Sequence, residues 1–249
     1  MARRIFRRWS SHSERSEYVV TATESPKEQV SGFYERHHSR GKYDYLYGDA
    51  DRKETLLRLI GTKQRTLDIG CRSGNLTQFY CKENVVVGVD VDRKALDMFR
   101  ERLGLEGHWC DVDAEPLPFA DSSFDLVVFT EVMEHVRFPA KALAEIRRVL
   151  KPEGRLVGSV PNAFRLRNRW RFLWGQPFET DPSHLRSYSA RILHDTLAAL
   201  FLDIEILPVS GHLLGGGKRG VRVFGWLPHR VRCLFCLDLV FHCSGTRKI

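Results

Sequence analysis

The feature that most constrains this chain is a glycine-containing turn, TLDIGCRSG, at residues 66–74. An apolar strand end runs into Gly70 and then Gly74, and the following residues, Leu76–Cys81, are predicted to form a helix. Glycine lacks a Cβ and tolerates positive φ, so such a turn brings the backbone close to a ligand. A helix start adds free N–H groups and a partial positive charge. The segment therefore predicts a small-molecule site between a strand and a helix.

A second apolar strand, Val85–Asp90, ends in a carboxylate. Asp90 follows Asp68 by 22 residues, close to the ~20 residues after which an acidic side chain meets ribose hydroxyls in nucleotide-binding βαβ units. The dinucleotide fingerprint G-x-G-x-x-G holds a pyrophosphate, but here three residues separate the glycines. A carboxylate at Asp68, ahead of the turn, suits an ammonium better than a pyrophosphate. We therefore expect a nucleoside-containing ligand other than NAD.

Three motifs follow one another: Asp68-x-Gly-x-x-x-Gly, then Gly88-Val89-Asp90, then the run DAEPLPF at 113–119. As a set they resemble the class I S-adenosylmethionine (SAM) dependent methyltransferases, especially the methyltransferase type 11 and methionine-biosynthesis-W-like members. The resemblance covers roughly residues 33–207, and its glycine motif alone would be weak. It implies SAM as the cofactor. It also implies an α/β Rossmann-like fold, with a seven-stranded, mostly parallel sheet, helices on both faces and an antiparallel last strand.

The same resemblance assigns roles at the methionine end of the cofactor. Asp68 would face the methionine ammonium, while Gly70 and Gly74 would let the backbone wrap around the methionine. The family usually has a third glycine where this chain has Arg72. The arginine side chain would either crowd the cofactor or point outward and pair with the methionine carboxylate. We expect the second outcome, because the other cofactor positions are intact.

At the adenosine end, the resemblance assigns three residues. Asp90 would accept hydrogen bonds from the ribose hydroxyls. Asp113 would accept one from the adenine amine, and the Ala114 N–H would meet a ring nitrogen. For Asp113 alone, a simple turn residue before a proline is a competing interpretation.

Apolar and polar segments alternate regularly, which is typical of a parallel sheet with helices on both faces. The predicted strands are Thr66–Ile69, Val85–Asp90, Glu106–Cys110, Phe124–Thr130, Arg155–Val160, Leu202–Leu207 and Leu237–Cys243. The predicted helices are Lys53–Gly61, Leu76–Cys81, Arg93–Leu103, Ala140–Leu150 and Ser189–Leu200. We predict a flexible basic tail at 1–30 and one domain at 31–249. The domain would carry a substrate-side insertion around 162–190 and a basic part at 211–249.

The fourth predicted strand runs into a cluster of ionisable residues. If the backbone turns helical there, Glu131, Glu134 and His135 share one face. Such a group can take a proton from an attacking hydroxyl, or hold a divalent metal with His184 as a fourth ligand. The pattern is similar to that of the ubiquinone-type O-methyltransferases and of the small-RNA 2′-O-methyltransferases, and the latter bind metal through it. A metal site, a metal-free base and a purely structural role all stay open.

The formal net charge of +8 is unevenly distributed. Residues 43–160 contain 17 Lys and Arg against 20 Asp and Glu, whereas 211–249 contain seven basic residues and one acidic residue. Arginines and aromatic residues also alternate between Arg165 and Trp174. An anionic small-molecule acceptor fits these segments, with RNA, peripheral membrane contact or a plain solvated surface as alternatives. No apolar run reaches the ~18 residues of a membrane span.

The six cysteines are scattered, as expected for reduced thiols in a cytoplasmic protein. Together, these features predict a SAM-dependent methyltransferase that moves a methyl group to an oxygen of a small molecule, such as a sugar, a phenol or a lipid-linked glycan. His135 is the first-choice base, with Glu131 and Glu134 beside it. The alternatives are a metal-dependent RNA 2′-O-methyltransferase and a non-catalytic SAM-binding protein.

Overall fold

A computed structural model describes residues 25–39, 50–177, 181, 183–211 and 228–246. Its α-helices are α1 (Pro26–His38), α2 (Ala50–Ile60), α3 (Arg93–Leu103), α4 (Pro139–Val149), α5 (Leu166–Leu173), α6 (Ala190–Leu197) and α7 (His229–Phe235). Its strands are β1 (Arg65–Ile69), β2 (Val85–Asp90), β3 (Glu106–Trp109), β4 (Phe124–Thr130), β5 (Leu150–Pro161), β6 (Phe201–Gly211) and β7 (Cys236–Thr246). A 3₁₀ helix, Thr77–Phe79, lies between β1 and β2.

The seven strands form one sheet in the order β3-β2-β1-β4-β5-β7-β6. Strands β1 to β5 pair in parallel, whereas β7 lies antiparallel between β5 and β6. This confirms the predicted seven-stranded, mostly parallel sheet with an antiparallel last strand. The chain order reverses between β1 and β4, and in such sheets a ligand crevice opens beyond the carboxyl ends of the strands at that point.

Helices cover both faces of the sheet, which explains the nearly continuous apolar character of its central strands. In β1 and β2 only the first residue of each strand is exposed. Alternate residues of β4 supply both sides of the core. Phe129 packs on one face with Leu143 of α4, while Leu126 packs on the other with Ile60 of α2.

Gly158 in β5 marks the tightest packing in the middle of the sheet. A Cβ placed there would lie 2.3 Å from the carbonyl oxygen of Phe129 and 2.3 Å from Cζ of Phe241. The Phe241 ring from β7 therefore occupies the space that a larger residue at position 158 would need. The fully buried ring joins the antiparallel strand to the parallel part of the core.

Two predicted segments differ from the structure. The segment Leu76–Cys81 contains only the short 3₁₀ helix, because hydrogen bonds from Thr77 and Tyr80 tie it to the end of β1 and leave too few residues for an α-helix. The predicted boundary of the flexible tail at residue 30 also differs from the structure, because helix α1 already begins at Pro26. Ser25 and Glu28 cap it reciprocally. Residues 1–24, and 212–227 and 247–249 of the predicted basic part, lie outside the described residues.

Among the helices in the described part of the chain, none combines the length and the apolar character needed to cross a lipid bilayer.

The Phe241→Ala variant is expected to be about 3–5 kcal/mol less stable than the wild type, since it leaves a cavity over Gly158. Urea unfolding followed by circular dichroism measures this difference. Leu202→Ala on the neighbouring strand β6 is the matched control, because that side chain is 58% exposed. Its effect should stay within about 0.5 kcal/mol. A similar loss for both variants would contradict the packing described for β7.

Candidate active site

The glycine turn after β1 adopts a backbone that requires glycine at two positions. Gly70 and Gly74 have φ values of +77° and +82°, in the left-handed region that favours glycine. A Cβ on Gly70 would lie 2.2 Å from Cγ2 of Val132, and one on Gly74 would lie 2.4 Å from Cδ1 of Leu103. The two glycines therefore also allow close packing of the turn against β4 and α3.

Arg72, which stands between the two glycines, adopts a left-handed backbone conformation. Its φ is +49°, and its N–H donates to Oδ2 of Asp90 at 2.8 Å. The N–H of Asp92 donates to Oδ1 of the same carboxylate at 2.8 Å. Asp90 thus joins the glycine turn to the end of β2. Burial raises the pKa of this carboxyl, partly opposed by the nearby His38 and by the two N–H donors.

Asp68 lies buried beneath the glycine turn. Its Oδ2 accepts hydrogen bonds from the hydroxyls of Thr77 and Tyr80, each at 2.6 Å. Burial raises the pKa of Asp68 to about 6, although the two hydroxyl donors oppose the shift. The negative charge of Asp90 adds to the increase. A cationic group bound nearby would stabilise the ionised form of this carboxyl.

Helix α1 lies against this edge of the sheet and brings aromatic residues to the site. His38 pairs with Asp92, Nδ1 to Oδ2, at 2.7 Å, and the Arg93 N–H donates to the hydroxyl of Ser31. The ring of Tyr34 meets that of His135 edge-on, with centroids 6.1 Å apart. Burial, together with the charges of Asp90 and other nearby carboxylates, raises the pKa of Tyr34. No local sequence pattern indicates these contacts, because they join residues far apart in the chain.

The residues predicted for adenine already make contacts within the protein. The Asp113 carboxylate accepts the backbone N–H groups of Arg137 at 2.9 Å and Phe138 at 3.0 Å. The Ala114 N–H donates to the Asp111 carbonyl at 3.0 Å. Each Asp113 oxygen keeps a further lone pair for an adenine amine, whereas the turn already uses the Ala114 donor.

Glu131 does not share a helical face with Glu134 and His135, contrary to the prediction. Its φ is +54°, and the backbone after β4 forms turns instead of a helix. Its Oε1 accepts from Ser159 at 2.8 Å and pairs with the guanidinium of Arg52 at 2.8 Å. Arg52 is buried in α2, and nothing in its sequence context distinguishes it from an ordinary surface arginine.

Glu134, His135 and His184 do come together. One potential ligand atom from each lies within 4.8 Å of the others, and this is the only such group found among the described residues. Nε2 of both histidines lies 4.0 Å from Oε1 of Glu134. Neither Glu134 oxygen has a hydrogen-bond partner in the described part of the chain, although both are buried. Burial and the charge of Glu131 raise the pKa of Glu134.

His135 is held in one tautomer by its neighbour. Nδ1 lies 3.0 Å from the Ser183 carbonyl oxygen, so it must donate, and Nε2 keeps its lone pair. Burial and the proximity of His184 lower the pKa of His135 to about 4. The unpartnered carboxyl of Glu134 and the free Nε2 of His135 fit a divalent cation, with His184 as the third ligand. Glu131 does not fit as a fourth, because Arg52 and Ser159 hold its Oε1.

Comparison with known proteins finds similarity to methyltransferases. Residues 67–158 match the family model of a methyltransferase domain. The ubiquinone/menaquinone biosynthesis C-methyltransferase of Vibrio campbellii is 35% identical over 103 residues, which cover 38% of this chain and 40% of that protein. An uncharacterized methyltransferase of Schizosaccharomyces pombe is 33% identical over 112 residues, 40% of each chain. The chain thus matches about two fifths of the length of these curated relatives.

Solved structures show the same fold. A SAM-dependent methyltransferase of Thermotoga maritima gives a TM-score of 0.58 at 19% identity, covering 89% of this chain and 98% of that one. Another, from Archaeoglobus fulgidus, gives 0.58 at 17% identity, covering 86% and 100%. The fold of the described residues is thus the Rossmann-like fold of these SAM-dependent methyltransferase structures. Within this fold, residues 67–158 carry the match to a methyltransferase domain, and the similar solved structures are described as SAM-dependent.

The Asp68→Asn variant tests the ammonium contact. Since the pKa of Asp68 is raised to about 6, the native state holds more protons than the unfolded state between about pH 4 and pH 6. The contribution of Asp68 to stability therefore falls as pH rises through this window. Asparagine still accepts from Thr77 and Tyr80. The variant should be more stable than the wild type by about 1–3 kcal/mol at about pH 8, and equal to it at about pH 4.

Calorimetric titration with SAM measures how the same Asp68→Asn substitution changes the affinity for SAM. Loss of the charge-assisted hydrogen bond to the methionine ammonium should weaken SAM binding about tenfold or more. Thr66→Ser, at a buried position in β1 beside Asp68, is the matched control and should leave the affinity unchanged. An unchanged affinity in Asp68→Asn would contradict the role assigned to this carboxylate.

Proposed function

We propose that this protein transfers the methyl group of SAM to an oxygen nucleophile of a small molecule. When bound, SAM supplies a methyl group that its sulfonium charge already makes electrophilic, so the protein has to supply alignment and a proton acceptor. The observation that carries the proposal is the position of the His135 imidazole in the turns that follow β4. It lies at the same sheet edge as the glycine turn and Asp90.

Asp68 and Asp90 are the proposed contacts to the two ends of the cofactor. Asp68 faces the methionine ammonium, while Gly70 and Gly74 let the backbone approach the methionine. Each oxygen of Asp90 accepts one backbone N–H and retains a second lone pair for a ribose hydroxyl. Asp113 is the proposed acceptor for the adenine amine.

His135 is the proposed proton acceptor, and its pKa limits the kind of acceptor molecule. A pKa of about 4 keeps the imidazole unprotonated near neutral pH, but it also makes the imidazole a weak base. An acidic hydroxyl suits such a base better than an ordinary alcohol does. Among sugars, phenols and lipid-linked glycans, this property favours a phenol when His135 acts without a metal.

A divalent metal held by Glu134, His135 and His184 is the second form of the proposal. A metal at that position would lower the pKa of a bound hydroxyl. His135 would then use Nε2 as a ligand, so the base role and the metal role exclude each other. The two buried, unpartnered oxygens of Glu134 favour the metal form, since an uncompensated buried carboxyl destabilises a protein.

Transfer to carbon is a second candidate reaction, because the Vibrio relatives are described as C-methyltransferases. Identification of the methylated product distinguishes the two acceptors. We further propose that the protein works in the cytoplasm. All six cysteines are free, which suits a reducing compartment.

Asp90→Ala and His135→Ala should separate cofactor binding from methyl transfer. Asp90→Ala is expected to abolish SAM binding in calorimetry, because it removes the ribose acceptor and releases the backbone of the glycine turn. His135→Ala should bind SAM normally and lose about 10²- to 10⁴-fold in turnover. If His135 is the base, wild-type activity should fall only as pH drops through about 4. His194→Ala, at an exposed position in α6, serves as the control, and normal turnover in His135→Ala would overturn the assignment.

A titration with Mn²⁺ decides between the base and metal forms. If the metal form holds, calorimetry should detect one Mn²⁺ site in the wild type. Glu134→Gln should lose the site, and the matched Glu131→Gln should keep it, because Arg52 and Ser159 hold Glu131 away from the cluster. Exhaustive EDTA treatment should then lower turnover. Absence of Mn²⁺ binding together with EDTA-resistant turnover would rule the metal form out.

A further inference from the structure

Helix α5 turns its apolar stripe away from the protein. Leu166, Trp170, Leu173 and Trp174 follow at the spacings i, i+4, i+7 and i+8, so they lie on one side of the helix. Trp170 is 54% exposed, Leu173 73% and Trp174 74%. A helix of a globular protein normally buries such a stripe against the core. Here the stripe forms a continuous apolar surface that faces outward.

The opposite side of α5 is held to the protein by polar contacts. Asn168 is the buried residue of the helix, and its Nδ2 donates to the Ala163 carbonyl at 3.0 Å. Oδ1 of the same side chain accepts from Nε of Arg165 at 3.3 Å. The segment that leads into α5 is in turn tied to the domain, since the Ala163 N–H donates to the Tyr188 carbonyl at 3.1 Å and Nδ2 of Asn162 donates to the Cys233 carbonyl at 2.7 Å. These polar contacts hold α5 in place without its apolar side.

Arginines border the apolar stripe on both sides. At 100° per residue, Arg167 and Arg171 lie along one border of the stripe and Arg169 along the other. From residue 154 to residue 178 the sequence has five arginines and no acidic residue. Helix α7 packs against α5 and adds the exposed Arg230. The surface is therefore apolar in the middle and strongly cationic around it.

We propose that α5 docks this protein on an anionic lipid bilayer, with its apolar stripe among the acyl chain ends and its arginines at the headgroups. Interfacial helices combine tryptophan and leucine on one side with cationic residues beside them in this way. RNA would pair with the arginines but would leave Leu166 and Leu173 in water. A second copy of the chain would set arginine against arginine. Both features of the surface match an anionic bilayer alone.

The docking surface lies at the same edge of the sheet as the candidate active site. Helix α5 starts shortly after β5 ends at Pro161, at the carboxyl edge of the sheet. Leu185, 55% exposed, follows His184 in the chain, and its N–H donates to the Glu134 carbonyl at 2.9 Å. An exposed apolar residue, Leu185, therefore lies next to the cluster of Glu134, His135 and His184 at this edge of the sheet. Docking through α5 places the rim of the site at the bilayer surface.

Sedimentation of the full chain with vesicles tests the proposal. The wild type should cosediment at low salt with vesicles of phosphatidylcholine mixed with phosphatidylserine. A smaller fraction of it should cosediment with vesicles of phosphatidylcholine alone. The combined variant Trp170→Ser, Leu173→Ser, Trp174→Ser should bind about tenfold or more weakly, and so should Arg167→Glu with Arg171→Glu. The charge variant should also lose the salt dependence of binding.

The controls change exposed residues of the same chemical types elsewhere on the protein. Leu202→Ser replaces an exposed apolar residue of β6, and Arg58→Glu with Lys82→Glu reverses two charges near the amino ends of the strands. Both should bind vesicles like the wild type. Calorimetry with SAM confirms that every variant is folded, and it reports on cofactor binding independently of docking. No vesicle binding by the wild type, undiminished binding by the stripe variant, or binding of single-stranded RNA in place of vesicles would overturn the proposal.

Discussion

The carboxylate of Asp90 is the point on which the site depends. It accepts N–H groups from the glycine turn after β1 and from the start of α3, so one buried side chain fixes the relative position of three elements. Each bond is charge-assisted and therefore stronger than a neutral hydrogen bond. The same arrangement lets a bulky residue, Arg72, occupy a left-handed position in the turn. A ligand contacting Asp90 meets a carboxylate that is already oriented.

A second constraint lies two strands away from β2, where the chain leaves β4. Arg52 neutralises Glu131, but Glu134 stays buried without a hydrogen-bond partner in the described part of the chain. Burying such a group destabilises the protein unless it is neutral or paired. Its raised pKa and the lowered pKa of His135 have the same origin, since removal from water disfavours both charged forms. Burial thus disfavours the charge on both neighbouring groups, and a cation bound between them would favour the ionised carboxyl.

The candidate cofactor residues, the ionisable cluster of Glu134, His135 and His184, and the apolar helix α5 all lie at the carboxyl edge of the sheet. This follows from the topology, because in a parallel sheet the connections that leave the strands emerge together. The carboxyl edge receives the turns after β1, β2 and β4 and the segment carrying α5. The amino edge receives connections such as the one between α2 and β1. Chemistry and surface contact are thus concentrated on one side of the domain.

The sequence by itself determined three things: the succession of strands and helices along the chain, the glycine turn, and the polar residues at the strand ends. It could do so because strand periodicity, helix periodicity and glycine are local signals. Only the tertiary structure decided which side chains meet. The separation of Glu131 from Glu134 required a positive φ after β4, and its partner Arg52 comes from a helix far away in the chain. The outward face of α5 was equally invisible, because periodicity reveals a stripe but not whether the core or the solvent receives it. Packing between distant segments settles that, and no local pattern encodes it.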